Sequence, residues 1–146
     1  TSKEVTYNST YGTLPEPTKT GYNFLGWYGA PSYTVETVSG ASYSFVKNAN
    51  GYYESNNKGV HYSAALCKVT INTKEACTMY VDCINYAENN FDYGILSNLN
   101  GTLGTAYNSS DTYLKSFKGL SSSSIQTVEY SLPAGTSSIY IKFRKD

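Results

Sequence analysis

The chain has 146 residues, enough for one domain, or one domain with a small appendage, whose core needs no metal or disulfide to exclude water. Its 11 basic and 11 acidic residues cancel, which excludes the broad positive field that nucleic acid or an anionic membrane would require. No apolar run approaches the roughly 18–20 residues of a membrane span; no secretory leader pattern opens the chain, and Thr1 in place of Met is read as the start of a processed or excised piece.

In chain order, Val5-Thr6-Tyr7 reads as a short strand. The string Tyr11-Gly12-Thr13-Leu14-Pro15-Glu16-Pro17-Thr18-Lys19-Thr20-Gly21-Tyr22-Asn23-Phe24-Leu25-Gly26-Trp27-Tyr28 follows it. Residues 5–28 resemble the Listeria–Bacteroides repeat, the internalin-type B repeat. There the pattern Tyr-Gly-x-Leu-Pro-x-Pro-x-(Arg/Lys)-x-Gly-Tyr-x-Phe-x-Gly-Trp-Tyr recurs. The resemblance implies a cell-surface or phage-encoded protein and a β-grasp-like spacer or adhesion element without chemistry of its own. It also implies that Phe24 and Trp27 fill a small core. The family's preceding strand and its closing aromatic-Ala-x-Trp strand are not found beside the string. Residues 1–40 are therefore read as a partial repeat and linker, and 41–146 as a separate domain.

From about residue 42 the apolar side chains fall on every second position, the period of half-buried strands. Cys67, Val69 and Ile71 form one such face. Met79, Val81 and Cys83 form another, as do Val128, Tyr130 and Leu132. In the last strand Ile139, Ile141 and Phe143 point inward and Tyr140, Lys142 and Arg144 outward. Turn residues bound these runs at Asn72–Glu75, Asn100-Gly101, Lys118-Gly119 and Leu132-Pro133-Ala134-Gly135. Residues 65–85 fold on paper into a hairpin about Glu75, with Ile71 against Met79, Val69 against Val81 and Cys67 against Cys83. Seven or eight evenly spaced strands predict an all-β, antiparallel two-layer sandwich of jelly-roll type. The strings Gly51–Gly59, Tyr86–Gly94 and Ile139–Asp146 resemble, in a general way, sandwich domains that follow such repeats in bacterial surface proteins.

Catalytic constellations are missing from the sequence. His61 is the one histidine, and no Gly-x-Ser-x-Gly elbow accompanies it, so it reads as structural and the chain as no enzyme. Three cysteines without Cys-x-x-Cys spacing do not make a zinc set with one histidine. Cys67 and Cys83 read as reduced core thiols, the alternative being a strained cross-strand disulfide; Cys77 reads as free. Asp82, Glu88 and Asp92 are the densest carboxylates. Glu88 and Asp92 read first as loop and capping groups, the alternatives being a structural Ca²⁺ site or glycan contacts. Lys142, Arg144 and Lys145 read as a solvated strand face that blocks edge association, the alternative being an anion patch. An intramolecular lysine–Asn/Asp amide would need a buried lysine and a nearby acid, and the sequence pins no such trio.

Charged residues make up 15% of the chain and tyrosine occurs 16 times, a neutral, ring-rich surface. A tyrosine ring offers a flat apolar face for sugar C–H groups, while Asn and Asp bond hydroxyls. The candidate ligand contacts are Tyr52, Tyr53, Tyr86, Phe91, Tyr93, Tyr107, Asn89 and Asn90. The expected partner is a glycan or a host or cell-surface component, met outside the cell or on a phage particle. The expected form is a monomeric domain of a larger protein, without nucleic acid, membrane insertion or cofactor. The alternative is a structural spacer or phage-tail, receptor-binding domain with no small-molecule ligand.

Overall fold

The computed structural model describes residues 12–23, 31–119 and 124–146. The chain divides into two compact units, Thr1–Ala30 and Pro31–Asp146. In the first, a tight turn joins Lys19 to Tyr22, whose amide donates to the Lys19 carbonyl at 3.0 Å. Gly21 supplies the positive φ of 82° that this turn needs. The Lys19 ammonium lies 4.2 Å from the centre of the Tyr22 ring. The expected strand at Val5–Tyr7 and the expected core pair Phe24 and Trp27 lie outside the described residues.

The second unit is all-β. Its strands are β1 (Ser32–Thr37), β2 (Phe45–Lys47), β3 (Tyr53–Ser55), β4 (Ser63–Thr73), β5 (Cys77–Ile84), β6 (Tyr93–Ser97), β7 (Tyr113–Lys118), β8 (Ile125–Leu132) and β9 (Gly135–Lys145). One sheet has the order β1-β4-β9-β6-β7; β5 pairs with β8, and β2 with β3, all antiparallel. β1 falls inside the 1–40 segment assigned to repeat and linker, yet it pairs with β4 from Ser32↔Asn72 to Thr37↔Cys67. Among the described residues no helix is long and apolar enough to cross a membrane.

The β5–β8 pair packs on the large sheet. Ile71, Leu96, Phe117 and Ile139 from below meet Val128, Tyr130 and Leu132 from above, with Val69, Met79, Val81, Cys83 and Ile141 at the margin. Burying each large apolar side chain contributes about 1.5–3 kcal/mol. Gly94 permits one of these contacts: a Cβ there would sit 2.5 Å from the Phe117 ring.

The expected 65–85 hairpin is corrected here. β4 bonds to β1 and β9, β5 bonds to β8, and the two strands share no ladder. Residues 74–76 carry the chain from one layer to the other. The apolar faces of β4 and β5 do meet, but across the core rather than along an edge. β8 and β9 repeat the crossing through Pro133 and Ala134, so Leu132 and Gly135 belong to different sheets. Thr73 Oγ1 donates to the Pro133 carbonyl at 2.8 Å and ties the two crossings together. The three cysteines are unbonded: Cys67 buried, Cys83 half-buried, Cys77 exposed.

The opposite face of the large sheet carries a second cluster, Leu66, Ile95 and Leu103, joined by Val38, Ala41, Tyr93 and Tyr140. This face was expected to be solvated. Instead the segment 98–112 lies over it, and Lys142 is fully buried.

Candidate functional site

The loop between β5 and β6 holds half of the predicted contact residues, and its backbone is fastened at several points. Asn85 is buried and donates from Nδ2 to the Phe117 carbonyl at 3.0 Å. Asp92, only 1% exposed, is the anchor. Its Oδ2 accepts from the Glu88 amide and the Lys145 ammonium, each at 3.3 Å, and its Oδ1 accepts from the Asp146 amide at 3.2 Å. The Asp92 carbonyl accepts from the Gly119 amide at 2.6 Å, and Asn89 bridges to Gly119. A Cβ on Gly119 would stand 2.2 Å from the Glu88 carbonyl oxygen, so only glycine lets the loop dock on the end of β7.

This frame leaves the candidate contact side chains outside. Tyr86 is 72% and Phe91 54% exposed, and Asn89 and Asn90 are exposed beside them. Asn90 takes a left-handed φ of 70°, which asparagine tolerates better than most residues. Its carbonyl accepts from the Tyr93 hydroxyl at 3.2 Å, and its Oδ1 accepts from the Lys118 ammonium at 3.3 Å. Glu88, the other predicted metal ligand, is exposed on the same loop. Among the described residues no three His, Cys, Asp or Glu side chains converge as a metal site.

Tyr93 continues the surface onto the sheet. Its cross-strand partners are Lys118 on β7 and Arg144 on β9, and Arg144 in turn pairs with Ala64 on β4. Directly opposed residues share a face, so Lys118, Tyr93 and Arg144 form a row. The Arg144 guanidinium lies 5.4 Å from the Tyr93 ring centre. Tyr107 belongs near this end of the sheet as well: it meets Tyr62 edge-on at 5.8 Å, and Tyr62 immediately precedes β4. Tyr52 and Tyr53 lie on the β2–β3 hairpin, where no described contact joins them to the row.

A polar cluster fixes the neighbouring 98–112 segment. Lys142 Nζ donates to the carbonyls of Gly104 at 2.8 Å and Ala106 at 2.7 Å, to Asp111 Oδ2 at 2.8 Å, and to Ser109 Oγ. Asp111 also accepts from the Gly104 amide at 2.7 Å and the Ser109 hydroxyl at 2.5 Å. Burial pushes the Asp111 carboxyl up, but Lys142, Ser109 and the Gly104 amide outweigh it and hold it below the usual range. Burial draws Lys142 down, with Asp111 opposing. Oxygen atoms on all sides of Nζ suit an ammonium, whereas amide formation with Asp111 would need a neutral amine and a neutral carboxyl. Two of the three groups such a bond requires are therefore in contact, and their surroundings favour the charged form of Asp111 while burial works against that of Lys142.

Lys118 and Asp111 were not singled out by the sequence, and the anion patch weighed for Lys142 and Arg144 was set aside. Strand alternation assigned Lys142 and Arg144 to a solvated face, and nothing local announces that a 15-residue segment from 98 to 112 returns to cover part of it. His61, exposed, has Nδ1 2.7 Å from the main-chain oxygen of Asp146, an acceptor that places the ring proton on Nδ1.

Comparison with known proteins adds one family. The model of the Listeria-Bacteroides repeat domain matches residues 1–52, which contain the 5–28 string and run past it through β1 and β2. Domains of this kind occur in bacterial surface proteins. No curated protein and no solved structure matches the chain.

Proposed function

We propose that the chain is a non-catalytic, carbohydrate-binding or adhesive module of a bacterial surface protein, working outside the cell. The observation that carries this reading is the gathering of Tyr86, Asn89, Asn90, Phe91 and Tyr93 on one anchored loop and the strand after it. Exposed rings on an anchored backbone suit a sugar, because the backbone's ordering cost is met before binding. Sugar C–H faces pack on the rings, and the two asparagines bond hydroxyls. The match of the N-terminal segment to a surface repeat supports the location. No metal or cofactor takes part.

Glycan-array screening tests it. Reproducible binding that Phe91→Ala and Tyr86→Ala each weaken, with the melting temperature unchanged, is the expected result. Binding to no glycan and to no host-cell extract would leave the chain a spacer.

A further inference from the structure

The row Lys118–Tyr93–Arg144 has a property that a site for neutral sugar would not need. Two cations flank one ring, and neither is neutralised. Among the described residues the ion pairs are Lys142–Asp111 and Lys145–Asp92; Lys118 and Arg144 have no carboxylate partner. Lys118 is exposed, and its contact is the amide oxygen of Asn90. Arg144 is half-buried, and its Nε is buried without an acceptor. A guanidinium held over a ring with an unused donor is a costly arrangement unless an acceptor arrives. The loop's other acid besides the anchoring Asp92 is Glu88, which is exposed and forms no ion pair among the described residues.

We propose that this row receives the negatively charged group, carboxylate or sulfate, of an acidic saccharide, with the sugar ring lying on Tyr93 and Phe91. Arg144 would present its fork to two oxygens of the anion, and Lys118 a point charge from the other side of the ring. Asn89 and Asn90 would take neighbouring hydroxyls. The inference rests on the carbohydrate-binding reading above and gives it a substrate class.

The test is calorimetric titration of the full chain with polygalacturonate, dextran sulfate and uncharged dextran, beside the array. Binding to polygalacturonate identifies carboxylate as the group, and binding to dextran sulfate identifies sulfate. Lys118→Glu is expected to weaken that binding at least tenfold, and Arg144→Gln to do the same. Lys74→Glu makes the same charge change at the other end of β4 and is expected to have no effect. Raising the salt tenfold is expected to weaken binding, because the site is near the surface. Equal losses from Lys74→Glu and Lys118→Glu would reduce the interaction to net charge and overturn the proposal. So would array binding confined to neutral glycans, which would leave the carbohydrate-binding reading standing; binding to none of the probes or glycans overturns both. If Arg144→Gln lowers the melting temperature, Lys118→Glu on its exposed side chain decides the matter.

Discussion

Lys142 Nζ lies 2.8 Å from Asp111 Oδ2, with the side chains 0% and 3% exposed. The contact joins the last strand to a segment some thirty residues earlier and fixes the covering of one face of the sheet. Removing one partner strands the other in a dry site. Lys142→Met is expected to cost about 3–5 kcal/mol, read as a lower urea midpoint. Asp111→Asn is expected to cost less, because the Gly104 and Ala106 carbonyls still bind the ammonium. Equal, small losses from both would mean that water reaches the cluster.

The same pair sets an acid limit. The Asp111 carboxyl in the folded chain titrates below its ordinary value of 3.8. The unfolded state therefore takes up the proton first as pH falls. The stabilisation by this group is complete above the unfolded value, and it declines below about pH 3.8 until the folded value has been passed. Urea midpoints between pH 7 and 2.5 are expected to fall more steeply for the native chain than for Asp111→Asn at the acid end.

Gly119 is where the β5–β6 loop meets the end of β7. With a Cβ 2.2 Å from a main-chain oxygen, Gly119→Ala forces the backbone apart. A loss of about 1–3 kcal/mol is expected, together with faster hydrogen exchange at the Glu88 and Asp92 amides. Unchanged exchange in that loop would show that the Asp92 contacts alone hold it.

The three thiols differ in reach. Burial raises Cys67 to about 12, against a hydrogen bond from the Ile141 backbone; burial, with a smaller contribution from the Asp82 charge, raises Cys83 to about 11. Thiolate is the reactive form. Iodoacetamide at pH 8 is expected to add once, at Cys77, and three times after unfolding in guanidinium, as counted by mass spectrometry. A native adduct at Cys83 would mean that the margin of the core opens.

The layer relationship was half legible before the fold. Alternation identified the buried set, Val69 and Ile71 on one strand and Met79 and Val81 on the next, and all of them reach one core. It could not say whether the two strands lie side by side or face to face, because either arrangement buries the same residues. The three-residue connection, 74–76, suits both. The candidate loop contacts Tyr86, Asn89, Asn90, Phe91 and Tyr93 were chosen from residue type and turn chemistry alone. That Lys118 and Arg144 stand beside Tyr93 was not legible, since they are 25 or more positions away in the chain and become neighbours only through the β7-β6-β9 order.

By itself the amino-acid order determined the class: period-2 burial, neutral ring-rich surface, and an N-terminal string of repeat type. Those properties are local, set by which face of a strand each residue occupies. The tertiary structure decided everything that depends on distant segments. It buried Lys142 under the 98–112 segment, moved β5 into the second layer, and set Lys118 and Arg144 on either side of Tyr93. A strand's own pattern records whether a face is covered by apolar groups, but a lysine sheltered by another segment's carbonyls leaves no mark beside it in the chain.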